Sequence, residues 1–166
     1  MIAGLDEVFR LTESQLKDWN ILSICGSATG LPLRFAGRRR VKTLCFDDVE
    51  ADCPDECLFA ATPNHIQDAL DFAREIGDEP LLIHCHAGIS RSTAIAWIIV
   101  WDKLKDGPEA VRQSFGIVRK ARPILSPNRH VLRLGIEALA PREKQKQVVG
   151  EFADCLAELN YPQLDD

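Results

Sequence analysis

The residues with the clearest chemical potential lie in one short segment, HCHAGISRS, at positions 84–92. A cysteine followed by an arginine six residues later is weak evidence alone, but here small residues and a glycine separate the two. A tight loop that enters a helix points successive backbone N–H groups at one place, and the helix N-terminus adds partial positive charge. The segment therefore predicts a phosphate-binding loop with a thiol at its start.

Three side chains in this segment fit that chemistry. Gly88 allows backbone angles that other residues resist. Arg91 carries a planar guanidinium group that can hold two phosphoryl oxygens at once. The positive field that attracts a phosphate also favours the thiolate form of Cys85, and a thiolate beside a bound phosphate is a nucleophile in place. An inert buried thiol is the alternative for Cys85.

Metal binding is a second possible chemistry, because His84 and His86 flank Cys85. Neighbouring side chains of a strand point to opposite faces, so these three do not converge easily. A C-x3-C pair at 53–57 with His65 downstream is also a poor zinc site, since such sites usually have four ligands at tighter spacings. We therefore expect no metal, and we predict that His84 is a core histidine whose ring is hydrogen-bonded inward.

The apolar pattern indicates which elements position the segment. Short apolar runs predict strands at 20–25, 41–46 and 80–84, and the last is continuous enough to lie centrally in a covered sheet. A Thr-Pro start and apolar residues three and four apart predict an amphipathic helix over 62–77. The helix predicted from 91 to about 104 is apolar on all sides, which indicates a buried helix.

Three later helices are predicted, after Gly107-Pro108, from Ser126-Pro127 and beyond the polar stretch that follows Pro141. Strands therefore fill the first half of the chain and helices crowd the second. This order predicts an α/β fold in which helices flank a small, mainly parallel sheet. A length of 166 residues fits one domain over 1–166.

Composition excludes several classes of protein. A net charge of −5 argues against nucleic-acid binding by electrostatics. The longest apolar run, Ala94 to Trp101, is far shorter than the roughly 20 residues of a membrane span. With no basic signal-peptide region at the N-terminus, we expect a cytoplasmic protein whose six cysteines are reduced. The basic run 38–40 is most simply a solvated face, although it could also attract an anionic substrate.

Three segments resemble the cysteine-dependent protein tyrosine phosphatases, and the dual-specificity subclass most closely. The run 84–92, extended by Thr93, is similar to the signature loop of that family. Residues 44–48 (LCFDD) resemble the strand and loop that carry the family's general acid. Residues 122–128 (RPILSPN) resemble a segment that opens a late helix. The similarity extends over about residues 20–140.

This resemblance implies a two-step hydrolysis of phosphate monoesters without metal or cofactor. Cys85 would form a phosphocysteine intermediate, and Arg91 would stabilise the in-line transition state. Ser92 would hydrogen-bond the departing sulfur. The substrate phosphate would lie among the loop residues His86, Ala87, Gly88, Ile89 and Ser90, together with Arg91.

An aspartate would protonate the leaving oxygen and then activate water. Strand alternation alone does not choose between Asp47 and Asp48, because the strand is predicted to end near Phe46. The resemblance favours Asp48, and Asp52 and Asp55 in the following loop are further alternatives.

The substrate implied by the resemblance is a phosphorylated protein, most simply phosphotyrosine and perhaps phosphoserine or phosphothreonine as well. A small phosphate ester, a phosphoinositide and an RNA 5′ end are alternative substrates, and a non-catalytic phosphate-binding module is an alternative function. We expect no nucleic-acid or membrane partner, and the sequence makes no prediction about oligomeric state. No N-terminal segment matches the deep phosphotyrosine pocket of the large tyrosine-specific enzymes, so a preference for tyrosine stays open.

Overall fold

The structure is a computed structural model that describes residues 1–26, 35, 40–107 and 109–159. Most of the predicted Gly- and Pro-rich loop at 26–37, and two residues of the basic run 38–40, lie outside the described residues.

Four parallel strands form one sheet, in the order β1-β4-β2-β3. The strands are β1 (Ile2–Gly4), β2 (Asn20–Cys25), β3 (Val41–Cys45) and β4 (Leu81–Cys85). The predicted α/β fold with a parallel sheet is confirmed, and each predicted strand is found within one residue of its predicted ends. The sequence did not predict β1, which pairs with β4 so that Gly4 lies beside Cys85.

Seven α-helices are found among the described residues. They are α1 (Leu5–Arg10), α2 (Glu13–Leu16), α3 (Pro63–Ile76), α4 (Arg91–Leu104), α5 (Ala110–Ala121), α6 (Arg129–Leu139) and α7 (Arg142–Ala157). A short 3₁₀ helix at Pro54–Glu56 interrupts the long loop between β3 and α3. No helix in the described part of the chain has the length and apolar content that a bilayer span requires.

The boundaries of α3 follow its predicted signals. Thr62 is the N-cap and Pro63 the first residue, and the helix stops at Gly77, whose φ of 61° favours glycine. The predicted start of α6 at Ser126-Pro127 is wrong by about three residues. Asn128 caps this helix instead, because its side-chain oxygen accepts a hydrogen bond from the Val131 N–H at 3.0 Å.

The start of α7 also differs from the prediction. The polar stretch after Pro141 belongs to the helix itself, which begins at Arg142 and ends at Ala157, before Leu159. Its side chains at the start are exposed and polar, so no apolar period marks those turns in the sequence.

Helix α4 forms the centre of the larger core, as its apolar sequence predicted. Trp97 is fully buried, with its ring stacked on Phe152 at 4.3 Å and near Phe115 at 5.0 Å, and Trp101 packs edge-on against Phe152. The Trp97 indole N–H donates to Ser114 Oγ at 2.9 Å, so its polar group is satisfied. Other core residues of α3, α5, α6 and α7 pack around this cluster.

The opposite face of the sheet is covered by a smaller apolar cluster. Val8 of α1 and Leu16 of α2 pack there with Phe35 and with Ile21 and Leu82 of the sheet. Residues next to these in the strands point to the larger core, as strand alternation requires. Both faces are thus covered, and because all four strands run the same way, their carboxyl ends meet at one edge of the sheet.

Candidate active site

A pocket of about 320 Å³ opens at the carboxyl edge of the sheet. Each strand contributes residues at or just beyond its end: Leu5 and Phe9 follow β1, Ile24, Cys25 and Gly26 lie at the end of β2, Asp47 follows β3, and His84, Cys85, His86 and Arg91 belong to β4 and the loop after it. This is where ligands bind in open parallel α/β sheets. The pocket therefore brings the predicted nucleophile Cys85 and the predicted phosphate ligand Arg91 together.

The carbonyl groups of the loop after β4 are held outward by hydrogen bonds from neighbouring elements. The His86 carbonyl accepts from Leu5 N–H at 2.8 Å, the Ala87 carbonyl from Arg122 Nη2 at 3.3 Å, and the Ile89 carbonyl from Ser126 N–H at 2.9 Å. In a planar trans peptide the C=O and the next N–H point in opposite directions. Holding the carbonyls outward therefore turns the loop amides inward, as a phosphate cradle requires.

The orientation of one amide can be checked directly. Gly88 N–H donates to Cys85 Sγ at 3.2 Å, so this amide does point into the loop, toward the position that an anion would share. Gly88 has a φ of 73°, and a Cβ at this position would come within 2.3 Å of the Gly4 backbone nitrogen. Only glycine fits here, for both reasons.

The Cys85 side chain lies at the base of the pocket and is only 2% exposed. Besides the Gly88 amide, its sulfur forms a hydrogen bond of 3.2 Å with the hydroxyl of Ser92, which is fully buried. The structure therefore places the predicted pair of Cys85 and Ser92 in contact. Both groups would stabilise negative charge on the sulfur.

Arg91 is held at the pocket by the end of β3. Its Nη1 donates to the Phe46 carbonyl at 2.8 Å, and the residue is only 7% exposed. Its Nε is buried and makes no hydrogen bond within the described residues. A buried, charged donor without a partner is costly unless a ligand completes it. The geometry therefore leaves part of the guanidinium fork available to an anion.

Both candidate acids lie at the site, in different settings. Asp48 Oδ1 accepts hydrogen bonds from Ser90 Oγ at 2.7 Å and Asn128 Nδ2 at 2.9 Å, and Oδ2 lies 4.0 Å from Arg91 Nε. Asp47 lines the pocket, and its carboxylate accepts from Phe59 N–H at 2.9 Å. Asp48 is thus tied to the phosphate loop, whereas Asp47 is tied to the loop after β3.

The remaining alternatives lie farther along that loop. Asp52 accepts a hydrogen bond from Ala60 N–H at 2.8 Å, and Asp55 lies in the short 3₁₀ helix. Neither contributes to the pocket lining described above.

His84 is a core residue as predicted, but the predicted inward hydrogen bond is wrong. The residue is 1% exposed, and neither ring nitrogen has a hydrogen-bond partner among the described residues. The Phe35 ring lies 5.3 Å away, centroid to centroid. Burial lowers the pKa of His84 to about 4, so the ring is neutral near pH 7. Its neighbour His86 is exposed and lines the pocket.

Two further residues that sequence reasoning did not single out hold the loop in place. Arg122 Nη1 binds the Glu7 carboxylate at 2.7 and 2.8 Å, while Nη2 reaches the Ala87 carbonyl. Glu7 also accepts from Gly4 N–H at 2.6 Å. These hydrogen bonds, from Arg122 first and Gly4 second, lower the pKa of Glu7. Arg122 thus links α1 to the phosphate loop.

No group of three or more potential metal-ligating side chains is present in the described ranges. His65, considered above with the cysteines at 53–57, serves another purpose, because its Nδ1 accepts a hydrogen bond from Thr62 N–H at 3.0 Å at the start of α3. All six cysteines are free thiols.

No protein-family model matches the sequence, and no curated protein is similar to it in sequence. The fold, however, is similar to solved phosphatase structures. The PTP-2 phosphatase of Cydia pomonella has a TM-score of 0.59 at 17% identity, over 80% of this chain and 81% of that chain. DUSP15 has a TM-score of 0.54 at 19% identity, over 90% of this chain and 89% of that one.

A third similar structure is the human tyrosine phosphatase-like serine/threonine/tyrosine-interacting protein. It has a TM-score of 0.52 at 19% identity, over 82% of this chain and 84% of that chain. At such identities the similarity concerns the fold. The fold expected from the three sequence segments is therefore confirmed: the chain has the fold of the dual-specificity and related tyrosine phosphatases.

Proposed function

We propose that this chain is a cysteine-dependent phosphatase that hydrolyses phosphate monoesters through a phosphocysteine intermediate. The observation that carries the proposal is the loop after β4. Its carbonyls are bonded outward, the Gly88 amide points at the Cys85 sulfur, and the Nε of Arg91 is buried without a partner among the described residues. A thiol, inward amides and an incomplete guanidinium group in one pocket match the needs of phosphoryl transfer.

In the first step, the Cys85 thiolate attacks phosphorus, a P–S bond forms and the P–O bond to the leaving group breaks. The loop amides and Arg91 bind the three equatorial oxygens. Asp48 donates a proton to the departing oxygen, which leaves as an alcohol or phenol. Its contacts with Ser90 and Arg91 support this role, and the place of Asp47 in the pocket lining makes it the alternative acid.

In the second step, water attacks phosphorus and the P–S bond breaks. Asp48, now ionised, accepts a proton from the water, and inorganic phosphate is released. The sulfur departs as a thiolate, and the Ser92 hydroxyl at 3.2 Å stabilises it as it leaves. No metal or cofactor takes part in the proposed cycle.

The proposed substrate is a phosphorylated protein in the cytoplasm, most simply one that carries phosphotyrosine, and one domain over 1–166 would perform the reaction. Phosphoserine and phosphothreonine are further protein substrates to test. A phosphoinositide and an RNA 5′ phosphate are alternatives whose chemistry the same cradle could accept.

A non-catalytic phosphate-binding module is the second candidate function. The similarity to a protein described as phosphatase-like and interacting supports keeping it, because fold alone does not decide catalysis. Such a module would use Arg91 and the loop amides without turnover.

Turnover of an aryl phosphate by the purified chain separates the two functions. The Cys85→Ser variant should lose turnover by at least a thousandfold and keep tungstate binding, since the cradle amides and Arg91 remain. Cys45→Ser, at an exposed cysteine outside the pocket lining, is the matched control and should keep the wild-type rate. A Cys85→Ser rate within tenfold of wild type contradicts the mechanism, and absent turnover with intact tungstate binding favours the module.

A further inference from the structure

Helix α1 is fixed rigidly beside the pocket although it has only 6 residues. Its Val8 side chain is fully buried in the smaller core. Its Glu7 carboxylate is bound by Arg122 Nη1 at 2.7 and 2.8 Å, and Arg122 also bonds to the phosphate loop. The backbone N–H at the start of the helix, that of Leu5, donates to the His86 carbonyl at 2.8 Å. The helix therefore moves with the loop rather than independently of it.

Two apolar residues of this helix form one wall of the pocket. Leu5 and Phe9 are four residues apart, so they lie on the same face of the helix, and both line the pocket that contains Cys85 and Arg91. Phe9 is 54% exposed, which is unusual for a phenylalanine on a helix whose other apolar residue, Val8, is fully buried. A large exposed apolar side chain at the mouth of a pocket is a common mark of a ligand contact.

The two sides of this pocket differ in chemistry. Cys85 and Arg91 provide the polar groups at its base, whereas Leu5, Phe9 and Ile24 provide apolar surface. A phosphate ester with an aromatic leaving group has the matching arrangement, because its dianion and its ring lie at opposite ends. An ester with a short aliphatic group has no ring to place against the apolar side.

We propose that Phe9 is the residue that selects aryl phosphate esters, such as phosphotyrosine, by packing its ring against the ring of the substrate. The inference rests on the proposed phosphatase function and adds to it a residue and a substrate class. Aromatic pairs prefer edge-to-face or offset contacts, and their interaction adds to the burial of apolar area. Loss of the Phe9 ring should therefore weaken recognition of an aryl ester roughly tenfold, and that of an aliphatic ester hardly at all.

The kinetic experiment compares two peptides that differ only in phosphotyrosine or phosphoserine. Phe9→Ala should lower kcat/KM for the phosphotyrosine peptide about tenfold, leave the phosphoserine rate within twofold, and so reduce the ratio. Phe9→Tyr should restore the ratio, and Phe9→Leu should restore it only partly. Ile117→Ala removes a side chain of similar exposure on α5, away from the pocket, and should change neither rate.

A binding experiment decides the matter even when no ester is turned over. Phenylphosphonate and methylphosphonate are titrated by calorimetry into the Cys85→Ser protein with Phe9 and with Phe9→Ala. The inference predicts about tenfold weaker binding of phenylphosphonate to the Phe9→Ala protein and equal binding of methylphosphonate.

Three outcomes overturn the inference. They are an equal loss for both phosphonates, no loss for either, and no detectable binding of phenylphosphonate to the Cys85→Ser protein. The proposed function fails separately, if the wild-type chain turns over no phosphate ester while the phosphonates still bind.

Discussion

Arg91 Nη1 donates a hydrogen bond of 2.8 Å to the carbonyl oxygen of Phe46, the residue that follows strand β3. This bond uses one end of the guanidinium group to fix the side chain and leaves the buried Nε facing Asp48 at 4.0 Å. The arginine thus needs at least two donors in fixed positions, one for the protein and one for a ligand. A lysine cannot supply them in the same geometry, because its ammonium group is a single point charge.

We therefore predict that Arg91→Lys loses about 100-fold or more in kcat/KM on an aryl phosphate, since charge-assisted bonds of this kind contribute roughly 1.5–3 kcal/mol each. Arg119→Lys, at a surface position of α5, should keep wild-type kinetics. The measurement is steady-state kinetics with thermal unfolding as the test of folding. A well-folded Arg91→Lys protein with near-normal activity would contradict the predicted role of the fork.

The second prediction concerns the general acid. Asp48→Asn should slow phenyl phosphate by roughly 10²–10⁴-fold but should affect a nitrophenyl ester far less, because a good leaving group does not need a proton. Asp47→Asn should show no such dependence on the leaving group. Both substitutions keep the side-chain shape, so they serve as controls for each other.

The contacts of each residue make the outcomes separable. Asp48→Asn keeps an oxygen that can accept from Ser90 or Asn128, so a purely structural loss would affect both esters equally. If instead Asp47→Asn shows the leaving-group dependence, the acid is the residue that lines the pocket.

The third prediction concerns Ser92, whose hydroxyl lies 3.2 Å from Cys85 Sγ. Ser92→Ala should slow the second step by about 10- to 100-fold, the usual effect of removing one hydrogen bond to a charged group. Stopped-flow mixing with a nitrophenyl ester should then show a burst of nitrophenol equal to the enzyme concentration. Ser114→Ala, at a buried serine far from the pocket, should show the wild-type time course, and a slow first phase without a burst in Ser92→Ala would be the contrary result.

The fourth prediction follows from the lowered pKa of His84. The unfolded chain binds a proton at this residue below about pH 6.5, whereas the folded chain resists it until about pH 4. The unfolded state thus holds more protons in this window, so stability falls as the pH falls, by up to ~3 kcal/mol in total.

Urea unfolding near pH 7 and near pH 4.5 measures this effect. The difference in the free energy of unfolding between the two pH values should shrink in His84→Gln, which has no imidazole to charge. His86→Gln, at the exposed neighbouring residue, should keep the wild-type difference. An unchanged difference in His84→Gln would show that another group causes the pH dependence.

The phosphate loop could be predicted from sequence because its information is local. The thiol, the glycine and the arginine of 84–92 follow one another, and the buried strand before them and the buried helix after them carry clear apolar patterns. The same holds for α3, whose cap and stop residues are adjacent to its apolar face.

Strand β1 and helix α1 could not be predicted in this way. A strand of 3 residues and a helix of 6 are too short for a periodic signal, and only their pairing with residues about 80 positions later gives them a place. Phe9 and Glu7 were missed for this reason. The cap of α6 was misplaced because Ser126-Pro127 has a familiar start signal, whereas the value of Asn128 also depends on distant Asp48.

The pairing of Gly4 with Cys85, and the bond from Leu5 N–H to the His86 carbonyl, also bear on how the chain folds. Loops that close over about 80 residues form slowly, because their entropy is lost before any contact offsets it. We therefore expect β2, β3 and β4 to associate first and β1 to add to their edge last, so that the cradle matures at the end of folding. Pulse-labelling hydrogen exchange during refolding should find the amide of Leu5 protected later than those of β2, and earlier protection of Leu5 would contradict this order.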